Sequence, residues 1–180
     1  MDLIQIYIQP GLFLLLSLLI GYFARDWLQQ RLLHGLTRFL ALECALGLTI
    51  LSLPALWRMP SSPLQFLSWT LILLSLILGV FGYRLLVQVG KPELRLAADQ
   101  QLSASGLYKY VRHPLYTSLI LFSLALYLKA ITMISTALFL GTALFLFITA
   151  SEEEMENLDR YGVEYARYLD ASKMFVPFVF

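Results

Sequence analysis

The chain has 180 residues, of which 59% are hydrophobic and only 14% are charged, and its mean hydropathy is +0.72. Soluble domains usually carry about 25% charged residues, so the composition excludes an ordinary soluble domain and a disordered chain. A net charge of +1 and the lack of a basic or aromatic nucleic-acid motif indicate that nucleic acid is not a partner. The single cysteine, Cys44, excludes an intrachain disulfide and a multi-cysteine metal site.

Long apolar segments predict helices that cross a membrane, each of which needs about 20 residues. Three such spans are predicted at Leu3–Ala24, Phe39–Trp57 and Leu64–Val89. The apolar segment Pro114–Ala150 is too long for one span, so we expect two helices that turn near Lys129–Thr132. The sequence therefore predicts an all-α polytopic membrane protein with about five transmembrane helices and a C-terminal amphipathic cytosolic helix.

The charged residues predict how the spans are oriented. With five spans, eleven of the Lys and Arg residues fall on one side of the membrane, and only Arg58 and Lys129 fall on the other. The positive-inside rule then places the N-terminus outside and the C-terminus in the cytoplasm. The polar stretch Arg25–Arg31 is expected to separate the first two spans. We expect a bacterial inner membrane, with an endomembrane as the alternative.

We expect residues 1–180 to form a single domain. Residues 1–90 would hold three spans, and residues 91–180 would hold a polar loop, a helical hairpin and the C-terminal helix. The spacing of Gly79 and Gly82 predicts a close helix contact. The tail Ser151–Ser172 has helical periodicity, with Gly162 at a possible bend. Residues at spacings of 4, 3, 4 and 3 share one face of this tail: Glu154, Leu158, Tyr161, Tyr165 and Tyr168.

Two polar stretches next to apolar segments carry the candidate chemistry. Arg112-His113-Pro114 directly precedes a predicted helix, whose free N–H groups and positive dipole end favour an anionic group. Glu153-Glu154 follows the last apolar segment, where two carboxylates can receive a cation or sugar hydroxyls. The predicted topology places both stretches on the cytoplasmic side. Together they predict a site for a zwitterionic cofactor.

The order and spacing of these residues carry a family resemblance. The motifs are Leu102-x3-Gly106-x-Tyr108-x3-Arg112-His-Pro-x-Tyr116 and Glu153-Glu154-x3-Leu158-x2-Tyr161-Gly162-x2-Tyr165-x2-Tyr168, followed by Pro177. This combination resembles the isoprenylcysteine carboxyl methyltransferase and phospholipid methyltransferase family. The resemblance implies an integral membrane methyltransferase that uses S-adenosylmethionine. The cofactor-binding residues it implies are Leu102, Gly106, Tyr108, His113, Pro114, Tyr116, Glu153, Glu154 and Tyr161.

The resemblance also implies a lipophilic acceptor that arrives from the bilayer. Glu43 and Arg112 are the candidate catalytic residues, and no metal site is predicted. Alternatively, Glu43 lies near the membrane surface and pairs with Arg38 or Arg25. Ser118 stands where the family commonly has glycine.

The acceptor itself stays open. Prenylcysteine enzymes have an arginine about one turn before the glutamate pair, where this chain has Thr149-Ala150-Ser151. A thiol, an amine, a phenol or a carboxylate other than prenylcysteine is therefore considered. Two other function classes are a membrane reductase of sterol-reductase-like fold and a non-enzymatic membrane scaffold.

Overall fold

The computed structural model describes residues 8–30, 32–56, 62–89 and 106–176, and within them no strand occurs. The described residues are almost entirely helical, which confirms the all-α part of the predicted fold class. The helices are α1 (Gln9–Gln30), α2 (Leu32–Leu56), α3 (Pro63–Val89), α4 (Pro114–Lys129), α5 (Met133–Tyr161) and α6 (Val163–Ala171), with a short 3₁₀ helix at Gly106–Lys109. An isolated parallel bridge joins Val111 to Lys173.

Three of the described helices are long and apolar enough to cross a membrane. These segments are His34–Leu56, Pro63–Val87 and Met133–Tyr161. Helix α4 is also apolar but has only 16 residues. These lengths support membrane insertion, while the total of five spans stays a prediction.

The apolar segment after Pro114 divides into two helices, as predicted. Helix α4 ends at Lys129 and α5 begins at Met133. Thr132 and Ser135 cap the start of α5 reciprocally. The Thr132 N–H donates to Ser135 Oγ at 2.8 Å, and the Ser135 N–H donates to Thr132 Oγ1 at 3.1 Å. Such a reciprocal cap satisfies N–H groups that a helix start leaves without intrahelical partners.

The chain divides into two compact units. The first contains Met1–Ile72 and Ile120–Thr149. In this unit buried serines donate to backbone carbonyls of α4: Ser68 to Ala125 at 2.8 Å, and Ser52 to Leu126 at 3.2 Å. A buried hydroxyl needs such a partner because burying it alone costs free energy.

The second unit contains Leu73–Leu119 and Ala150–Phe180. Here α3 approaches the first turns of α4 at its two glycines, as their spacing predicts. A Cβ added at Gly79 would lie 3.3 Å from Ser118 Oγ, and one added at Gly82 would lie 3.3 Å from Leu115 Cδ2. The side chain of Ser118 is thus accommodated by the absence of a side chain at Gly79.

The end of α1 and the bend at Gly162 can be compared with the predicted helix boundaries. The polar stretch after the first span does not break the helix, because α1 continues to Gln30. The predicted bend at Gly162 is confirmed: this residue has φ +56° and separates α5 from α6. That φ lies in the left-handed region, which glycine adopts at little cost. Leu102 and Pro177 lie outside the described residues.

Candidate active site

Arg112 and Glu154 form a two-pronged ion pair in the second unit. Nε of Arg112 donates to Glu154 Oε1 at 2.6 Å, and Nη2 donates to Oε2 at 3.2 Å. Each side chain is only 11% exposed. Arg112 Nη1 also donates to the backbone carbonyls of Leu169 and Ser172. Carbonyls at a helix end lack intrahelical donors and accept readily from a cation, so Arg112 joins the carboxylate of α5 to the end of α6.

His113 lies between the two glutamates. Its Nε2 is 3.1 Å from Glu154 Oε1, and its Nδ1 is 3.4 Å from Glu153 Oε2. The ring stacks on Tyr116, with centroids 5.4 Å apart and planes inclined by 2°, and its centroid is 6.2 Å from that of Phe175. The imidazole is therefore enclosed by carboxylates at both nitrogens and by aromatic rings around it.

Tyr116 connects the first turn of α4 to the second glutamate. Its hydroxyl donates to Glu153 Oε1 at 2.9 Å. His113 and Tyr116 are three residues apart, a spacing that brings side chains together along a helix face. Consecutive glutamates on α5 thus have different partners: Glu154 binds Arg112 and His113, and Glu153 binds Tyr116 and His113. We call Arg112, His113, Tyr116, Glu153 and Glu154 the polar cluster.

A segment after α6 closes over the polar cluster, and the sequence did not predict this. We define Ser172–Val176 as the C-terminal segment. The N–H groups of Arg112 and His113 donate to Lys173 O at 2.8 Å and Met174 O at 3.1 Å. Thr117 Oγ1 donates to Phe175 O at 3.0 Å. These are mainly backbone contacts over a few residues, so no periodic pattern in the sequence indicates them.

Tyrosines of the tail pack beneath the loop. Tyr165 and Tyr168 are buried, with Tyr161 against them, and Tyr168 donates its hydroxyl to Tyr108 O at 2.8 Å. The predicted tail face is therefore largely correct. Leu158, however, is 39% exposed, so the predicted face is not buried along its whole length.

A comparison with known protein families matches the region that contains the polar cluster. Residues 71–158 match the sequence model of the isoprenylcysteine carboxyl methyltransferase (ICMT) family. Over this region, which is just under half of the chain, the protein resembles the ICMT family. The matched region contains the whole polar cluster and most of the α4–α5 hairpin, including all of α4. No curated protein and no solved structure matches the chain.

The ICMT match and the three apolar helices together support an integral membrane methyltransferase. Neither of the other function classes, the reductase and the scaffold, is favoured by this match. Of the residues expected from the ICMT motifs, the structure brings His113, Tyr116, Glu153 and Glu154 into direct contact.

The remaining predicted residues have other surroundings. Pro114 is fully buried at the start of α4, which suits proline because its missing N–H would have no partner there. Gly106 has φ +63°, and a Cβ there would lie 2.9 Å from Leu85 Cδ1. Its role is therefore to let the loop turn closely against α3. Glu43 belongs to the first unit, where its Oε1 is buried with no hydrogen-bond partner among the described residues.

The donor set of the polar cluster fits the chemistry of S-adenosylmethionine. Two carboxylates suit an ammonium group or ribose hydroxyls, and the tyrosine and histidine rings suit an adenine or a sulfonium. The side chains of Glu153 and His113 also contact each other and Tyr116. A ligand that binds them must therefore replace some of these contacts.

Proposed function

We propose that this protein is an S-adenosylmethionine-dependent methyltransferase acting on a lipophilic acceptor that enters from the bilayer. The observation that carries the proposal is the meeting of the Arg112-His113 loop with Glu153-Glu154 within the ICMT-matched region. We further propose five spans, an N-terminus outside and a cytoplasmic cofactor site. A bacterial inner membrane remains the proposed location.

Glu153 and Glu154 have different contacts, so we propose a different role for each. Glu154 accepts two bonds from Arg112 and lies within hydrogen-bond distance of His113, so we assign it to holding the site together. Glu153 is 16% exposed and contacts the hydroxyl of Tyr116 and the ring of His113. We therefore assign the cofactor's ammonium or ribose hydroxyls to Glu153. Charge-assisted hydrogen bonds of this kind are stronger than neutral ones.

Arg112 is better described as a positioning residue than as a catalytic one. Its guanidinium contacts Glu154 and two backbone carbonyls, so it acts on the reaction through the residues it holds. Tyr116 and Tyr161 are proposed to lie against the adenine or the sulfonium. Leu102, Gly106, Tyr108 and Pro114 stay in the proposed set as the loop that shapes the site.

The bound cofactor supplies a methyl group attached to a positively charged sulfur. Glu153 and Tyr116 would hold the cofactor, which would supply an electrophilic methyl group to a lone pair of the acceptor. The residues of the chain orient the two reactants in line and exclude water, which are the main contributions that a displacement of this kind needs.

The proposed acceptor class is argued from Thr149. Thr149, one turn before the glutamate pair, donates to Phe145 O and Thr37 Oγ1, so a buried hydroxyl stands where prenylcysteine enzymes have arginine. We therefore propose a thiol, amine, phenol or other carboxylate as the acceptor. An acceptor that must lose a proton needs a base, and Glu43 is the proposed candidate.

The test is methyl transfer from labelled S-adenosylmethionine into a membrane lipid extract by the purified full chain in detergent. We expect one labelled product, whose new bond identifies the acceptor atom. A Glu153→Gln variant that remains folded should lose most of the transfer. If the label in several different lipid extracts were no greater than in a protein-free control, the proposed function would be contradicted.

A further inference from the structure

Lys129, a buried cation in the first unit, has no role in the proposed reaction. Lys129, the last residue of α4, is only 6% exposed, and its Nζ has no hydrogen-bond partner among the described residues. An isolated buried ammonium is unfavourable, and lysine within a membrane protein usually faces a partner or a cavity. The Lys129 ammonium would therefore be stabilised by an anion from outside the described part of the chain.

Two residues in the first turns of α3 complete the surroundings of Lys129. The Trp69 ring centroid lies 4.1 Å from Nζ, in cation–π distance. Gln65 Nε2 donates to Lys129 O at 3.5 Å, and Gln65 Oε1 is buried without a described partner. The hydrogen bond from Ser68 to Ala125 fixes this end of α3 against α4. Lys129 Nζ thus lies over the Trp69 ring, and the Gln65 amide, whose Oε1 has no described hydrogen-bond partner, contacts the backbone of Lys129.

The location is the end of a helical hairpin. Lys129 is followed by the turn 130–132, and Ile131 and Met133 are exposed. Helix ends of an integral membrane protein lie near the lipid headgroups, where tryptophan is enriched and basic residues bind lipid phosphates. The lysine stem is flexible enough to move Nζ toward the exposed turn while it keeps its aromatic neighbour.

We propose that Lys129, Gln65 and Trp69 form a site for a phosphodiester headgroup that also carries a hydrogen-bond donor. The phosphate would bind Lys129 Nζ, and a headgroup hydroxyl or ammonium would donate to Gln65 Oε1. Phosphatidylglycerol and phosphatidylethanolamine have both groups, whereas phosphatidylcholine has the phosphate alone. This site is independent of the methyltransferase proposal, because none of its residues belongs to the polar cluster.

The test is thermal unfolding of the detergent-purified full chain, with native mass spectrometry to count bound lipids. We expect phosphatidylglycerol and phosphatidylethanolamine to raise Tm by about 3 °C or more, and phosphatidylcholine or inorganic phosphate to raise it much less. Lys129→Met should abolish the difference and leave the lipid-free protein about as stable, since it removes a buried charge that has no hydrogen-bond acceptor among the described residues. Gln65→Leu should reduce the difference.

The control variant is Arg25→Met, which removes a cation whose side chain is 58% exposed and already paired with Asp26. Its lipid response should equal that of the unmodified chain. Equal stabilisation by all four additives would overturn the proposal, and so would an unchanged lipid preference in Lys129→Met. If Lys129→Met does not fold, Gln65→Leu and the comparison of headgroups still decide the matter. Stabilisation by inorganic phosphate as large as that by phosphatidylglycerol would overturn the lipid assignment.

Discussion

The guanidinium of Arg112 binds the carboxylate of Glu154 through two nitrogens, at 2.6 and 3.2 Å, across 42 positions of sequence. The same guanidinium bonds to the carbonyls of Leu169 and Ser172. One side chain thereby joins the loop before α4, the polar end of α5 and the end of α6. Changes at this junction should therefore affect the stability of the second unit.

Removing Glu154 should destabilise the protein. Glu154→Ala leaves Arg112 buried without its carboxylate, and breaking a buried pair typically costs about 3 kcal/mol. We expect a clear fall in Tm by thermal unfolding in detergent. Glu164→Ala, at an exposed position in α6, is the matched control and should change Tm little. An unchanged Tm in Glu154→Ala would show that the pair contributes nothing to the fold.

Changing Glu153 should affect cofactor binding more than stability. Glu153→Gln keeps the shape and the acceptor for Tyr116 but removes the charge proposed to bind the cofactor. A lost charge-assisted hydrogen bond is worth about 1.5–3 kcal/mol, which is at least tenfold in Kd. Titration calorimetry with S-adenosylhomocysteine would measure it, alongside Tm. A folded variant with unchanged Kd would show that Glu153 is not a ligand.

Phe175 should matter because it covers the ring of His113. Phe175→Ala removes an aromatic contact from a buried residue, and such truncations cost about 3–5 kcal/mol in a core; Phe175→Leu should retain much of this. We expect a lower Tm for the alanine variant. Val176→Ala, at a residue that is 47% exposed, is the control. Similar small shifts for positions 175 and 176 would argue against a structural role for the C-terminal segment.

Gly79 and Ser118 should be energetically coupled. A Cβ at Gly79 would lie 3.3 Å from Ser118 Oγ, so Gly79→Ala should crowd the contact at a cost of about 1–3 kcal/mol, partly offset by the higher helix propensity of alanine. In a Ser118→Gly background the crowding is absent. The double variant should therefore be more stable than the two single changes predict. Strict additivity of the three Tm shifts would contradict the observed contact.

Much of this architecture follows from local patterns. The apolar segment after Pro114 is too long for one span, and α4 ends at Lys129 where the turn was predicted. The spacing of Gly79 and Gly82 predicted a close helix contact, which Ser118 and Leu115 of α4 supply. Each of these features depends on composition or periodicity over neighbouring residues, which a single sequence displays directly.

The partners within the site could not be predicted in the same way. The motifs indicated that His113 and the glutamate pair belong together, but they did not reveal that Arg112 is directed to Glu154 and to carbonyls of Leu169 and Ser172. Backbone N–H and C=O groups are the same at almost every residue, so the sequence does not indicate which of them form hydrogen bonds in the site. The C-terminal segment was missed for that reason.

The central claim is that S-adenosylmethionine binds at the polar cluster. The most direct test is ultraviolet cross-linking of labelled cofactor to the full chain in detergent, followed by peptide mapping. We predict label in peptides that contain Tyr108–Tyr116 or Ser151–Tyr161, and its loss when excess S-adenosylhomocysteine is added. Specific label confined to peptides from residues 8–56 would contradict the claim, as would a complete lack of competable label.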